Sequence, residues 1–220
     1  MIRVLIFDFD GVIAESNNVK TEAFKVLFSN YPRQIDHIVR FHEENGGMSR
    51  FDKFRYIYKN ILKKELTEEK FKQLCQSFHE LVIDEVVRCP FVPGAKDFLD
   101  SCKGNYPMYV VSGTPSDEIK EIIVRKNLRK YFLEIYGSPD SKTKSIRSII
   151  EENGNKPSEI LFIGDSKNDY QAAYEVGVSF AARIINDKQE WAKSEYISIV
   201  FYDLTELKRY ISEASCFKMR

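Results

Sequence analysis

Two aspartates one residue apart, Asp8 and Asp10, follow the apolar run Val4 to Phe7 and precede Gly11. Paired carboxylates at the end of an apolar run are costly unless something cationic neutralises them. The stretch "ILFIGDSKND" repeats this order: apolar residues, then Gly164, Asp165 and, four residues on, Asp169. Oxygen donors without histidine or cysteine suit a hard cation, and Mg²⁺ fits a few carboxylates completed by waters. Asp8, Asp10, Asp165 and Asp169 are therefore the expected metal residues and Mg²⁺ the expected cofactor.

Two further stretches fit a phosphate. "YVVSGT" closes an apolar run at Ser112, whose hydroxyl, with the backbone amides near it, can hold a phosphate oxygen, as can a helix start there. "GSPDSKTK" supplies Lys142 and Lys144, either of which can balance phosphate charge beside a carboxylate.

These residues need elements that bring them together. Strands are expected at Arg3–Phe9, Tyr109–Ser112, Leu133–Tyr136, Ile160–Ile163, Phe180–Ile184 and Ile199–Phe201, alternating with helical runs after Pro90. Such alternation predicts an α/β fold, a Rossmann-like parallel sheet with helices on both faces. In sheets of this kind ligands bind outside the carboxyl ends of the strands, so both acidic stretches fall at one edge. Between the first strand and Pro90 the pattern is helical. Val19, Ala23, Phe24, Leu27 and Tyr31 share one face. Ile35, Ile38, Val39 and His42 mark a second helix, ended by Asn45-Gly46-Gly47. Ser49 with Asp52 resembles a capping box opening a third, and Thr67 caps a fourth. The expected division is a catalytic core of 1–15 and 88–220 with an all-helical cap of 16–87 inserted in it.

Composition narrows the function. The 33 basic and 33 acidic residues balance, which gives no electrostatic case for nucleic acid or an anionic membrane. No apolar run approaches the roughly 20 residues of a spanning helix. A cytoplasmic protein, monomer or dimer, acting on a small molecule is expected.

The four motifs, in this order, closely resemble those of the haloacid dehalogenase-like superfamily of phosphohydrolases. The resemblance covers nearly the whole chain. It implies that Asp8 is a nucleophile forming an aspartyl-phosphate and that Asp10 is the general acid and then the base. It implies that Asp8, the Asp10 carbonyl and Asp165 ligate Mg²⁺, with Asp169 acting through water or orienting a lysine. Ser112 and Lys142, with Gly11 and Gly113 beside them, would hold the transferring phosphoryl group. The helical insert resembles the small cap of one subgroup, whose loop selects the substrate. Here that loop is "ENGGMSRFDKF", in which Gly47, Ser49 and Arg50 are the candidate substrate-binding residues. It resembles the corresponding stretch of beta-phosphoglucomutase, although Lys20 stands where that enzyme has a histidine. A phosphatase for a small phosphorylated metabolite, a sugar phosphate or phosphorylated sugar acid, is the expectation. Phosphoryl transfer between sugar positions and a non-catalytic phosphate-binding protein are the alternatives.

Overall fold

The chain is described by a computed structural model covering residues 1–185 and 189–216. Strand β1 (Val4–Phe7) is buried along its whole length, because it pairs on both sides. Its neighbours are β2 (Met108–Pro115) and β4 (Ile160–Gly164), followed outward by β3 (Glu134–Ser138) on one side and by β5 (Ser179–Arg183) and β6 (Ile197–Phe201) on the other. The order is 3-2-1-4-5-6 and every pairing is parallel. A strand covered on both faces has no polar side, which is why VLIF reads as a continuous apolar run.

Alternate side chains of β1 enter opposite layers. Leu5 and Phe7 pack with residues of α5 (Ala95–Cys102), α6 (Ser116–Arg125) and α9 (Leu204–Cys216). Val4 and Ile6 pack with residues of α7 (Lys142–Asn153) and α8 (Lys167–Val176). Successive strands run outward in both directions from the centre, so connections leave in opposite directions between β1 and β4. The crevice this creates lies at their carboxyl ends, where Asp8 and Asp165 stand.

Between β1 and α5 lie α1 (Asn17–Leu27), α2 (Ile35–Glu44), α3 (Arg50–Tyr56) and α4 (Glu68–Arg88). Their shared interior is aromatic: Phe24, Phe28, Phe54 and Phe78 are fully buried, with the Phe24 and Phe78 rings edge to face at 5.1 Å. Burying each such ring stabilises by roughly 1.5–3 kcal/mol. Ser49 and Thr67 cap α3 and α4 as expected, each accepting from the amide three residues on. Past Tyr56 the expected third helix widens into a π-helical turn, Ile57–Leu62, and stops at Lys63 with φ +53°. No helix among the described residues is long and apolar enough to cross a membrane.

Candidate active site

The chain leaves β1 through a tight turn. Val12, Ile13 and Ala14 all donate their amides to the Phe9 carbonyl. Gly11 makes this turn at φ +72°, and a Cβ there would stand 2.0 Å from Asp165 Oδ2. Only glycine meets both demands. The turn fixes Asp8 and Asp10 differently. Asp8 is 2% exposed; its Oδ1 accepts the Phe9 amide at 2.6 Å and its Oδ2 accepts from Lys142 at 2.7 Å. Asp10 accepts from Ser16 at 2.5 Å, from Thr114 at 3.0 Å and from Lys20.

Lys142 opens α7, whose N-cap is Ser141. Its buried ammonium bridges Asp8 and Asp169. Lys144 points to solvent and pairs with Asp140 at 2.7 Å. Of the two lysines the sequence left open, Lys142 is the one that lies beside Asp8. Asp169 is fully buried at the start of α8, where it closes a capping box with Ser166. Asp8, Asp165 and Asp169 each bring an oxygen within 4.8 Å of the others. The Asp10 side chain is not part of that group. Its oxygens face Ser16, Lys20 and Thr114 instead.

The electrostatics match this geometry. Burial raises the Asp8 carboxyl well above its usual range, and Asp169, Asp165 and Asp10 add to this against the opposing pull of Lys142. Burial, with Asp169 behind it, raises Asp165 to about 7. Burial works against the Lys142 charge, but Asp169 and Asp8 outweigh it, and its pKa is raised. Three carboxyl groups facing one ammonium cannot all stay ionised without a further cation. Oxygen donors so placed fit a hard divalent cation. Burial also pushes Asp10 up, but the charge and hydrogen bond of Lys20, with those of Ser16 and Thr114, bring its pKa below the usual value.

A cavity of about 1030 Å³ lies over these groups, lined by Asp8, Asp10 and Asp165 from the sheet edge and by residues of the helical block. Gly47 and Gly113 set its roof against its floor. A Cβ on Gly113 would meet the Gly47 carbonyl at 2.5 Å, and one on Gly47 would meet Ser166 Oγ at 2.5 Å. Asn168 of α8 donates to the Gly46 carbonyl at 2.6 Å.

Residues 5–183 match the family described as haloacid dehalogenase-like hydrolase. The chain belongs to the haloacid dehalogenase-like hydrolase family. It is a hydrolase of the phosphatase kind. Among curated relatives in that family, phosphoglycolate phosphatase 1 of Pseudomonas aeruginosa is 26% identical over 186 residues, 82% of this chain and 68% of that protein. The phosphoglycolate phosphatase of Aliivibrio fischeri is 28% identical over 196 residues, 82% of this chain and 83% of its own. The haloacid dehalogenase-like fold is shared with a family protein of Streptococcus pneumoniae (TM-score 0.73, 18% identity, 96% of this chain and 98% of that one). A "predicted phosphatase" of Clostridium acetobutylicum superposes with TM-score 0.77 at 19% identity, over 97% and 99% of the two chains.

Two expected substrate contacts, Arg50 and Ser49, are occupied by the protein itself, whereas Ser112 keeps its O–H to donate. Arg50 does not present a free guanidinium. It is buried, forms a two-point ion pair with Glu118 of α6, and lies 4.4 Å from the centre of the Phe78 ring. Glu118 also takes His79 Nδ1 at 2.7 Å. Arg50 thus fastens the helical block to the sheet domain. Ser49 spends its hydroxyl on the α3 cap and on Asp52 Oδ2, 2.7 Å away. Ser112 is 2% exposed, and its oxygen accepts the Thr114 amide at 3.1 Å.

Breaking a buried ion pair from one side strands the other charge, at about 3–5 kcal/mol. Glu118→Gln should therefore lower the midpoint of chemical denaturation substantially, and Arg50→Met should do the same. An exposed pair such as Lys144–Asp140 contributes ~0–1 kcal/mol, and Lys144→Met should barely move that midpoint.

Several site residues escaped the sequence reading. Thr114 carries a signal: it lies two residues beyond Ser112 on an extended segment, hence on the same face. Asn17, which donates to Asp165 Oδ2 at 2.8 Å, and Asn168 carry none, because their partners are 148 and 122 residues away.

Proposed function

We propose that the chain is a Mg²⁺-dependent phosphatase of a small phosphorylated metabolite, working through a phosphorylated Asp8. The observation that carries this reading is the buried carboxylate of Asp8, held by Lys142, with a second carboxylate two residues on. Asp8 attacks phosphorus and the ester P–O bond breaks, with Asp10 giving its proton to the leaving oxygen. Asp10 then takes a proton from water, the water oxygen bonds to phosphorus, and the Asp8–phosphorus link breaks to release phosphate. Lys142 balances the charge gathered around Asp8 in both steps. The contact with Lys20 holds Asp10 in the ionised form that the second step uses; in the first step the proton on Asp10 must displace that contact.

Mg²⁺ held by Asp8, Asp165 and the Asp10 carbonyl, with Asp169 nearby, would neutralise phosphoryl oxygens and the acidic cluster. The helical block acts as a cap that excludes water and selects the substrate. The curated relatives hydrolyse phosphoglycolate by name, which supports a small phosphorylated acid within the wider class of sugar phosphates and phosphorylated sugar acids. Transfer between sugar positions is less well supported, since Arg50 is committed to Glu118.

The test is release of phosphate from a generic aryl phosphate. Turnover is expected with Mg²⁺ and its loss with a chelator, restored on adding the ion back. Undiminished hydrolysis after chelation would contradict the reading.

A further inference from the structure

Lys53 and His42 are buried in the helical block, at 3% and 8% exposure, and both line the cavity over Asp8. The Lys53 ammonium donates to His42 Nδ1 at 2.9 Å and to the His42 carbonyl at 3.1 Å. No carboxylate pairs with it among the described residues. The other buried cations of this region are committed, Lys142 to Asp8 and Asp169 and Arg50 to Glu118, while the partly buried Lys20 holds Asp10. An ammonium taken out of water without a counter-charge is among the costliest groups a core can hold. Here the cost is visible: burial, then the neighbouring Lys20, pulls Lys53 down to about 7.

The pair has a definite donor pattern. Burial, then Lys53 and Lys20, hold His42 uncharged, its pKa lowered to about 2. A neutral ring that accepts at Nδ1 carries its proton on Nε2. Nε2 has no partner among the described residues, and neither has the third N–H of Lys53. With Lys53 protonated, two donors and one positive charge face a ligand between the walls of Phe24 and Phe78, and an anion bound there would itself favour the protonated form. The Phe24 ring is stacked on His42 at 4.2 Å and holds the imidazole in place.

We propose that Lys53 and His42 form a subsite for a carboxylate on the part of the substrate that leaves with the alcohol oxygen. One charge and two donors match one carboxylate; a second phosphate dianion would need more of both. The substrate class is then a phosphorylated hydroxy acid, an inference that rests on the phosphatase reading of the same cavity.

The test compares matched esters that differ in one group. Phosphoglycolate has a carboxylate where 2-hydroxyethyl phosphate has a hydroxymethyl group, and 6-phosphogluconate relates to glucitol 6-phosphate in the same way. Binding to Asp8→Asn protein with Mg²⁺ is measured by calorimetry, so that the esters persist. In at least one pair the acid should bind at least ten-fold more tightly, and Lys53→Met in the same background should remove that advantage. Equal binding within both pairs, or an advantage that survives Lys53→Met, overturns the subsite. If Lys53→Met does not fold, as judged by circular dichroism, Lys53→Gln and His42→Gln serve the same comparison. Aryl phosphate hydrolysis by the unmodified chain tests the phosphatase reading separately. Its failure would leave the binding comparison intact as a test of the subsite.

Discussion

Asp8→Asn should leave no measurable phosphate release under conditions in which the unmodified chain turns over. The substitution keeps shape and volume, so the fold should survive. The amide cannot become an acyl phosphate. It also removes one of the charges that Lys142 balances and that opposes Asp165. Losing the nucleophile of a concerted catalytic unit costs on the order of 10⁶-fold in a serine protease, another hydrolase that works through a covalent intermediate. Asp10→Asn should be milder, about 10²–10⁴-fold, the usual value of general acid–base help. The difference should depend on the ester. An aryl leaving group departs without a proton, so with such a substrate Asp10→Asn should slow only the second step.

Lys142→Met should be nearly as damaging and should also destabilise the chain. Its ammonium is the counter-charge of both Asp8 and Asp169, and all three groups are buried. Removing it leaves three mutually repelling carboxylates, a loss of about 3–5 kcal/mol by the measure of other buried pairs. Denaturation without metal should show this directly. Added Mg²⁺ should recover part of the stability, since a divalent cation supplies charge to the same cluster. It should not recover activity, because the charge at the transferring phosphoryl group is still missing.

The strands at the sheet centre were legible because burial on both faces writes an uninterrupted apolar run, as in Val4–Phe7 and Ile160–Ile163. The acidic residues were legible because parallel strands place their carboxyl ends at one edge. The strand order was not, since no local pattern says that β4 lies beside β1. The α5 helix escaped notice because its eight residues, just behind Pro93-Gly94, are too few to show a clear helical period. The π-helical turn at Ile57–Leu62 keeps the apolar spacing of an α-helix and so hides in the sequence. Arg50 shows the limit most clearly. Its type and its place at a helix start suggested an anion site, and it does bind an anion, but the anion is Glu118, 68 residues away. Lys53 shows the converse. It lies in the stretch ENGGMSRFDKF but is not among the candidate binding residues named there, and its burial beside His42 emerges only when α2 and α3 are packed together.

The central claim is that Asp8 carries the phosphoryl group between the two steps. Asp10→Asn protein mixed with Mg²⁺ and an aryl phosphate should accumulate one phosphoryl group per chain, found by mass spectrometry on the peptide that holds Asp8. The same protein carrying Asp8→Asn should accumulate none. A phosphoryl group on any other residue, or a full burst of free phosphate with the chain unmodified, would contradict the account.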